Sequence, residues 1–147
     1  MTASETSTIA QVHQLLAENG YEVSDIGNEV LRAKDLDTGV SFQVALHGSV
    51  LYMSVTLTTV PSAAITPDIM GTMLSAENGI STSAFQLYDT AEGRVAVTLN
   101  NFCTLQNMGP EDHDDILSLA GYLMADMVEA RNLLEGKLAG AESAAKR

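Results

Sequence analysis

VSFQVALHGSVLYMSVTL, residues 40–57, decides the architecture. Before the central Gly48-Ser49, Val40, Phe42, Val44 and Leu46 are apolar, while Ser41, Gln43 and His47 between them are polar, with Ala45 the exception. Beyond it the phase changes: Leu51, Met53, Val55 and Leu57 are apolar, and Ser54, Thr56 and Thr58 are not. Successive side chains of a strand point to opposite faces, so alternation of this kind marks one buried and one open face. Two such runs about a Gly-Ser turn predict an antiparallel hairpin.

Working outward, residues 29–36 read as a further strand. Gly27-Asn28 breaks the chain before it and DLDTGV turns the chain after it, Asp and Gly being the residues such turns require. The three strands make a meander. Upstream, STIAQVHQLLAENG (7–20) sets Ile9, Val12, Leu15 and Leu16 on one helical stripe. Thr8 with Gln11 forms a capping box, and Asn19-Gly20 is a left-handed stop. His13 beside the stripe reads as a half-exposed helix residue.

Downstream, VPSAAITPDIMGTMLSAENG (60–79) is a crossover carrying a helix over 67–77. Thr66 and Pro67 supply the N-cap and first turn, and Asp68 suits the positive end of the helix dipole. Its apolar residues are Ile69, Met70, Met73 and Leu74. SAFQLYD (83–89) and VAVTLNNFCTL (95–105) alternate about the TAEGR turn and form a second hairpin.

GPEDHDDI (109–116) packs four acids and a histidine into five positions. Pro110 is preset for the first position of a helix. Glu111, Asp112, Asp114 and Asp115 then fall where the dipole favours negative charge, by about 0.3–1 kcal/mol each when exposed. Ile116, Ala120, Leu123, Met127 and Leu134 continue at helical spacing, widened by Leu117, Met124 and Val128. Asp112, His113 and Asp114 point about 100° apart on a helix and cannot close on one ion. No metal site is expected.

The chain has 147 residues, one domain's worth, with 46% apolar and 18% charged residues, a globular composition. One domain is expected over 1–147, with 1–6 and 137–147 frayed. The net charge of −12 disfavours nucleic acid and acidic membranes as partners. The single cysteine, Cys103, excludes an internal disulfide and reads as a small buried hydrophobe. No signal peptide or membrane-spanning run is read, and the expected compartment is the cytoplasm. There is no phosphate loop, dinucleotide fingerprint or nucleophile elbow, and the three histidines fall in no ligand-spaced pair. The expectation is a protein without enzymatic activity and without a cofactor.

The fold class read from these elements is α+β: an antiparallel five-stranded sheet with helices packed on it, in the order α-β-β-β-α-β-β-α. That order in a small acidic chain resembles the specialised chaperones of type III secretion and the YbjN-like family that shares their fold. The resemblance is carried best by residues 73–134: a helix ending near Asn78, the strand Phe85-Gln86-Leu87-Tyr88-Asp89, the strand Val95 to Leu99, and a long closing helix with Ala130-Arg131 near its end. LLAENGYEV (15–23) fits as well. Asn132-Leu133 stands where the secretion chaperones often carry an aromatic residue, which keeps the YbjN-like family in view. The resemblance implies a homodimer that holds an extended segment of a protein partner, such as a secreted effector, in part by strand addition. The alternative it implies is a YbjN-like regulatory protein acting by protein contacts and not as a secretion escort. Ile69, Met70, Met73 and Leu74 are the first candidates for dimer or partner contact, and Val12 and Leu16 the second. All six also fit a core. Seven methionines suit either core gap-filling or a compliant apolar surface.

Overall fold

An apolar face built by alternation needs a cover. In the computed structural model, which describes residues 8–138, helices from the two ends of the chain supply it. The elements are α1 (Ile9–Ala17), β1 (Tyr21–Gly27), β2 (Val30–Asp35), β3 (Ser41–His47), β4 (Val50–Pro61), α2 (Pro67–Leu74), β5 (Ala84–Asp89), β6 (Arg94–Thr104) and α3 (Pro110–Leu134). The strands form one sheet in the order β1-β2-β3-β4-β6-β5, antiparallel throughout. The α+β architecture and both hairpins are as expected. The sheet has six strands, not five.

The strand missed by sequence reading is β1. Its inward residues are Tyr21 and Val23 alone, with Tyr21 edge-on to Phe42 at 5.7 Å. Glu22, Ser24, Asp25 and Ile26 are exposed. Two apolar residues are too few to show a period. Gly27, Asn28 and Glu29, all at positive φ, make the tight connection to β2. The break in the pattern is therefore a hairpin turn.

The core lies between one sheet face and the helices. Phe42, Val44 and Leu46 of β3, Leu51, Met53 and Val55 of β4, and Leu99 of β6 pack against Val12, Leu15 and Leu16 of α1 and Ile116, Ala120, Leu123, Met124 and Met127 of α3. Each large side chain so buried contributes about 1.5–3 kcal/mol. The alternation in β4 does not run through: between Thr56 and Thr58 the pairing with β6 shifts by one residue. This bulge reverses the phase, so that Val60 returns to the interior. Leu57, the extra residue, is half-buried, and Val128 on α3, read as part of the stripe, is exposed.

Both helix boundaries at the start of the chain follow from local chemistry. The Thr8–Gln11 capping box forms, and Gly20 takes φ +96° after α1. α2 ends at Leu74, three residues before the expected stop, because Ser75 turns to extended backbone and its hydroxyl accepts from the N–H of Glu77. The expected fray at 1–6 and at most of 137–147 lies outside the described residues, although Lys137 donates to the Leu133 carbonyl at 2.6 Å.

Two buried carboxylates tie α3 to neighbouring loops. Asp112, only 4% exposed, accepts from the N–H groups of Gln106 (2.5 Å) and Met108 (2.9 Å). One of the four acids at the helix start is thus an internal loop cap; the others remain exposed there. Asp126, 2% exposed, accepts from the N–H groups of Ser81 (2.9 Å), Thr82 (3.1 Å) and Ser83 (3.1 Å) and from the Ser81 hydroxyl (2.9 Å). These bonds fasten the segment after α2 to the long helix.

The outer edges of the sheet differ. β1 carries Glu22 and Asp25 and a register shift between Asp25 and Gly27. β5 has neither bulge, lysine nor proline, and all but Phe85 of its residues are exposed.

Asp126 sets an acid limit on stability. Burial alone would raise its pKa; the hydrogen bonds from Ser81, Thr82 and Ser83 outweigh this and hold it below the ordinary 3.8. A depressed carboxyl stabilises the fold fully above the unfolded value and loses that contribution as pH falls through the folded one. Asp126→Asn is expected to lower stability at pH 7 by about 1–3 kcal/mol in urea unfolding. The gap to the parent should hold down to about pH 5 and close below about pH 4.

Candidate functional site

The sheet has a second face, and no described helix covers it. Side chains of Arg32, Gln43, Ser54 and Asn100 stand in one cross-strand row on β2, β3, β4 and β6. The next row toward the β3–β4 turn holds Val30, Ala45, Tyr52 and Phe102. Tyr52 is 44% exposed and Phe102 64%. Their rings lie 6.0 Å apart, and His47 meets Tyr52 edge-on at 5.7 Å. A row of this kind forms a contiguous apolar ridge, which marks contact surfaces more specifically than scattered exposed residues do. Sequence reading missed it. The signal was present as Tyr52 and Phe102, large rings at positions where the alternation calls for polar residues.

The residues expected to make contacts divide. Ile69 and Met73 turn inward and pack with Val60, Val97 and Leu134 in a second small core. Met70 and Leu74 turn outward, with Leu74 79% exposed. Helical geometry accounts for the split: residues four apart share a face, and adjacent ones do not. Val12 and Leu16 are fully buried beneath the sheet and α3. They present no exposed α1 face, because the chain's own sheet covers that stripe. Of the six, Met70 and Leu74 are on the surface.

The reactive groups are not brought together. His13, His47 and His113 lie on α1, β3 and α3. Among the described residues no group of three or more His, Cys, Asp or Glu side chains is placed to hold a metal ion. Burial, followed by the charges of Asp115 and Asp112, pushes the half-buried Cys103 thiol up to about 11. At neutral pH only about one such thiol in ten thousand is ionised, and the thiolate is the nucleophile. Among the described residues no helix is long and apolar enough to cross a membrane.

No family model matches the chain, and no curated protein matches its sequence. A solved structure does match: YbjN from E. coli, a candidate transcription regulator. It superposes with a TM-score of 0.62 at 16% sequence identity, over 86% of this chain and 92% of that one. At that identity the likeness is one of architecture, and it extends through nearly the whole of both chains. The chain has a YbjN-like fold.

Proposed function

We propose that this protein is a non-enzymatic protein-binding module. The observation that carries the reading is the Tyr52–Phe102 ridge, flanked by Val30 and Ala45, on a sheet face that no described element covers. Large aromatic side chains on the surface are the usual anchors of protein interfaces. The finer form of the proposal is a homodimer that resembles the secretion chaperones in holding an extended segment of a partner. Met70 and Leu74 on α2 would join two copies, and the ridge would take the partner. The charge of −12 would keep the loaded complex in solution. The likeness to YbjN favours a second form, a regulatory protein that acts through the same contacts without escorting anything to a secretion apparatus.

Self-association is tested by light scattering after size exclusion. Met70→Glu with Leu74→Glu is expected to halve the mass of the parent dimer while leaving circular dichroism unchanged; a parent that is already monomeric at high micromolar concentration would rule the dimer out. Partner contact is tested by affinity recovery from the native cell. Tyr52→Ser with Phe102→Ser should stay folded and dimeric but lose most of any protein that the parent retains at stoichiometric amounts. Equal recovery by both would remove the ridge from the interface. Recovery of secretion substrates would favour the escort, and of stable folded regulators the second form.

A further inference from the structure

Next to the aromatic ridge the open face sinks into a shallow basin of about 590 Å³, within the usual range for small-molecule sites. Its two halves differ in chemistry. On the β5–β6 side the two hydroxyls that line it are already engaged: that of Tyr88 donates to Gln86 Oε1 at 2.6 Å, and that of Thr98 donates to the Gln86 carbonyl at 2.9 Å and accepts from Asn100 Nδ2 at 2.8 Å. On the β2–β4 side Arg32, Ser41, Gln43, Ser54 and Thr56 converge from three adjacent strands, and their side chains make no hydrogen bond or ion pair among the described residues.

The charge is of opposite sign to the rest of the molecule. The chain carries 19 acids against 7 bases, yet no carboxylate lines the basin, and its one charged group is the Arg32 guanidinium. Lys34 lies on the same face one row away, opposite Glu22. A planar guanidinium offers paired donors to carboxylate or phosphate, and hydroxyl and amide groups around it exchange hydrogen bonds with alcohols.

We infer that the basin is a binding site for a small hydroxyl-rich anion, a sugar acid or a sugar phosphate, whose charged group sits on Arg32 and whose hydroxyls meet Ser41, Gln43, Ser54 and Thr56. This goes beyond the protein-contact reading and does not depend on it, since the ridge residues take no part.

The test is titration of the isotopically labelled full chain, followed by amide NMR, with gluconate, glucose 6-phosphate and uncharged glucose, each up to about 10 mM. Saturable shifts at residues 41–43 and 54–56 are expected for at least one of the anions and not for glucose; which anion acts identifies the charged group. Arg32→Gln, an exposed position whose variant should keep the parent spectrum elsewhere, is expected to weaken binding about 10- to 100-fold. Tyr52→Ser with Phe102→Ser should leave it unchanged. The inference is overturned by three results: no saturable shift with either anion, an equal response to glucose, or unaltered binding in Arg32→Gln. Arg32→Lys separates fork from charge: affinity at or near that of the Gln variant supports the paired guanidinium contact, whereas parent-like affinity would overturn it by showing that a point charge suffices.

Discussion

The structure depends on burial of one face of the β3–β4–β6 sheet beneath α3. These strands contribute the alternating side chains, and the long helix is the largest surface laid on them. Ala120 and Ala130 sit fully buried on α3, where their small side chains leave room for close approach to the sheet. Asn101, a polar residue in the buried row, donates to the Leu119 carbonyl at 3.1 Å and so ties strand to helix within the apolar contact. α1 then closes over β1 and β2, and α2 over the far end of β4 and β6. Because the described helices fall on one side, none of them covers the opposite face of the sheet.

The two buried carboxylates belong to the same scheme. Hydrophobic contact is not directional, and it would allow a 25-residue helix to slide on the sheet. Hydrogen bonds are directional. Asp112 near the start of α3 and Asp126 in its second half each grip a run of backbone N–H groups from a separate loop, and together they define the helix's position along its axis. A carboxylate with several N–H partners can be buried without a counter-ion, because its charge is met by fixed dipoles.

Much of this was legible in the residues, and the parts that were not have physical reasons. β3, β4 and β6 could be read because burial on a single face imposes alternation over many positions, and β5, with only Phe85 half-buried, was placed by its Phe85–Leu87 alternation and the TAEGR turn that leads into β6. β1 could not, since an edge strand needs only Tyr21 and Val23 to hold it. The bulge at Thr56–Thr58 is set by pairing with β6, which local pattern does not contain. Val12 and Leu16 form a clear stripe, but a stripe shows that something covers it and not whether the cover is the same chain. The acidic run 111–115 was correctly placed at a helix start. That Asp112 alone turns inward depends on where the 105–108 loop passes. The ridge and the basin depend on register: Arg32, Gln43 and Ser54 are separated by 11 residues each and become neighbours only when three strands align.

The unequal edges of the sheet govern how far such a molecule could grow by lateral strand pairing. Indefinite fibres need a head that accepts a tail, so that every added copy presents the same vacancy again. Here the β1 margin carries the acids and the irregularity that disfavour an added strand. A union between like margins, β5 against β5, would consume both participants' accepting sides at once. A pairing of that kind would end after a single step and would not propagate into a fibre.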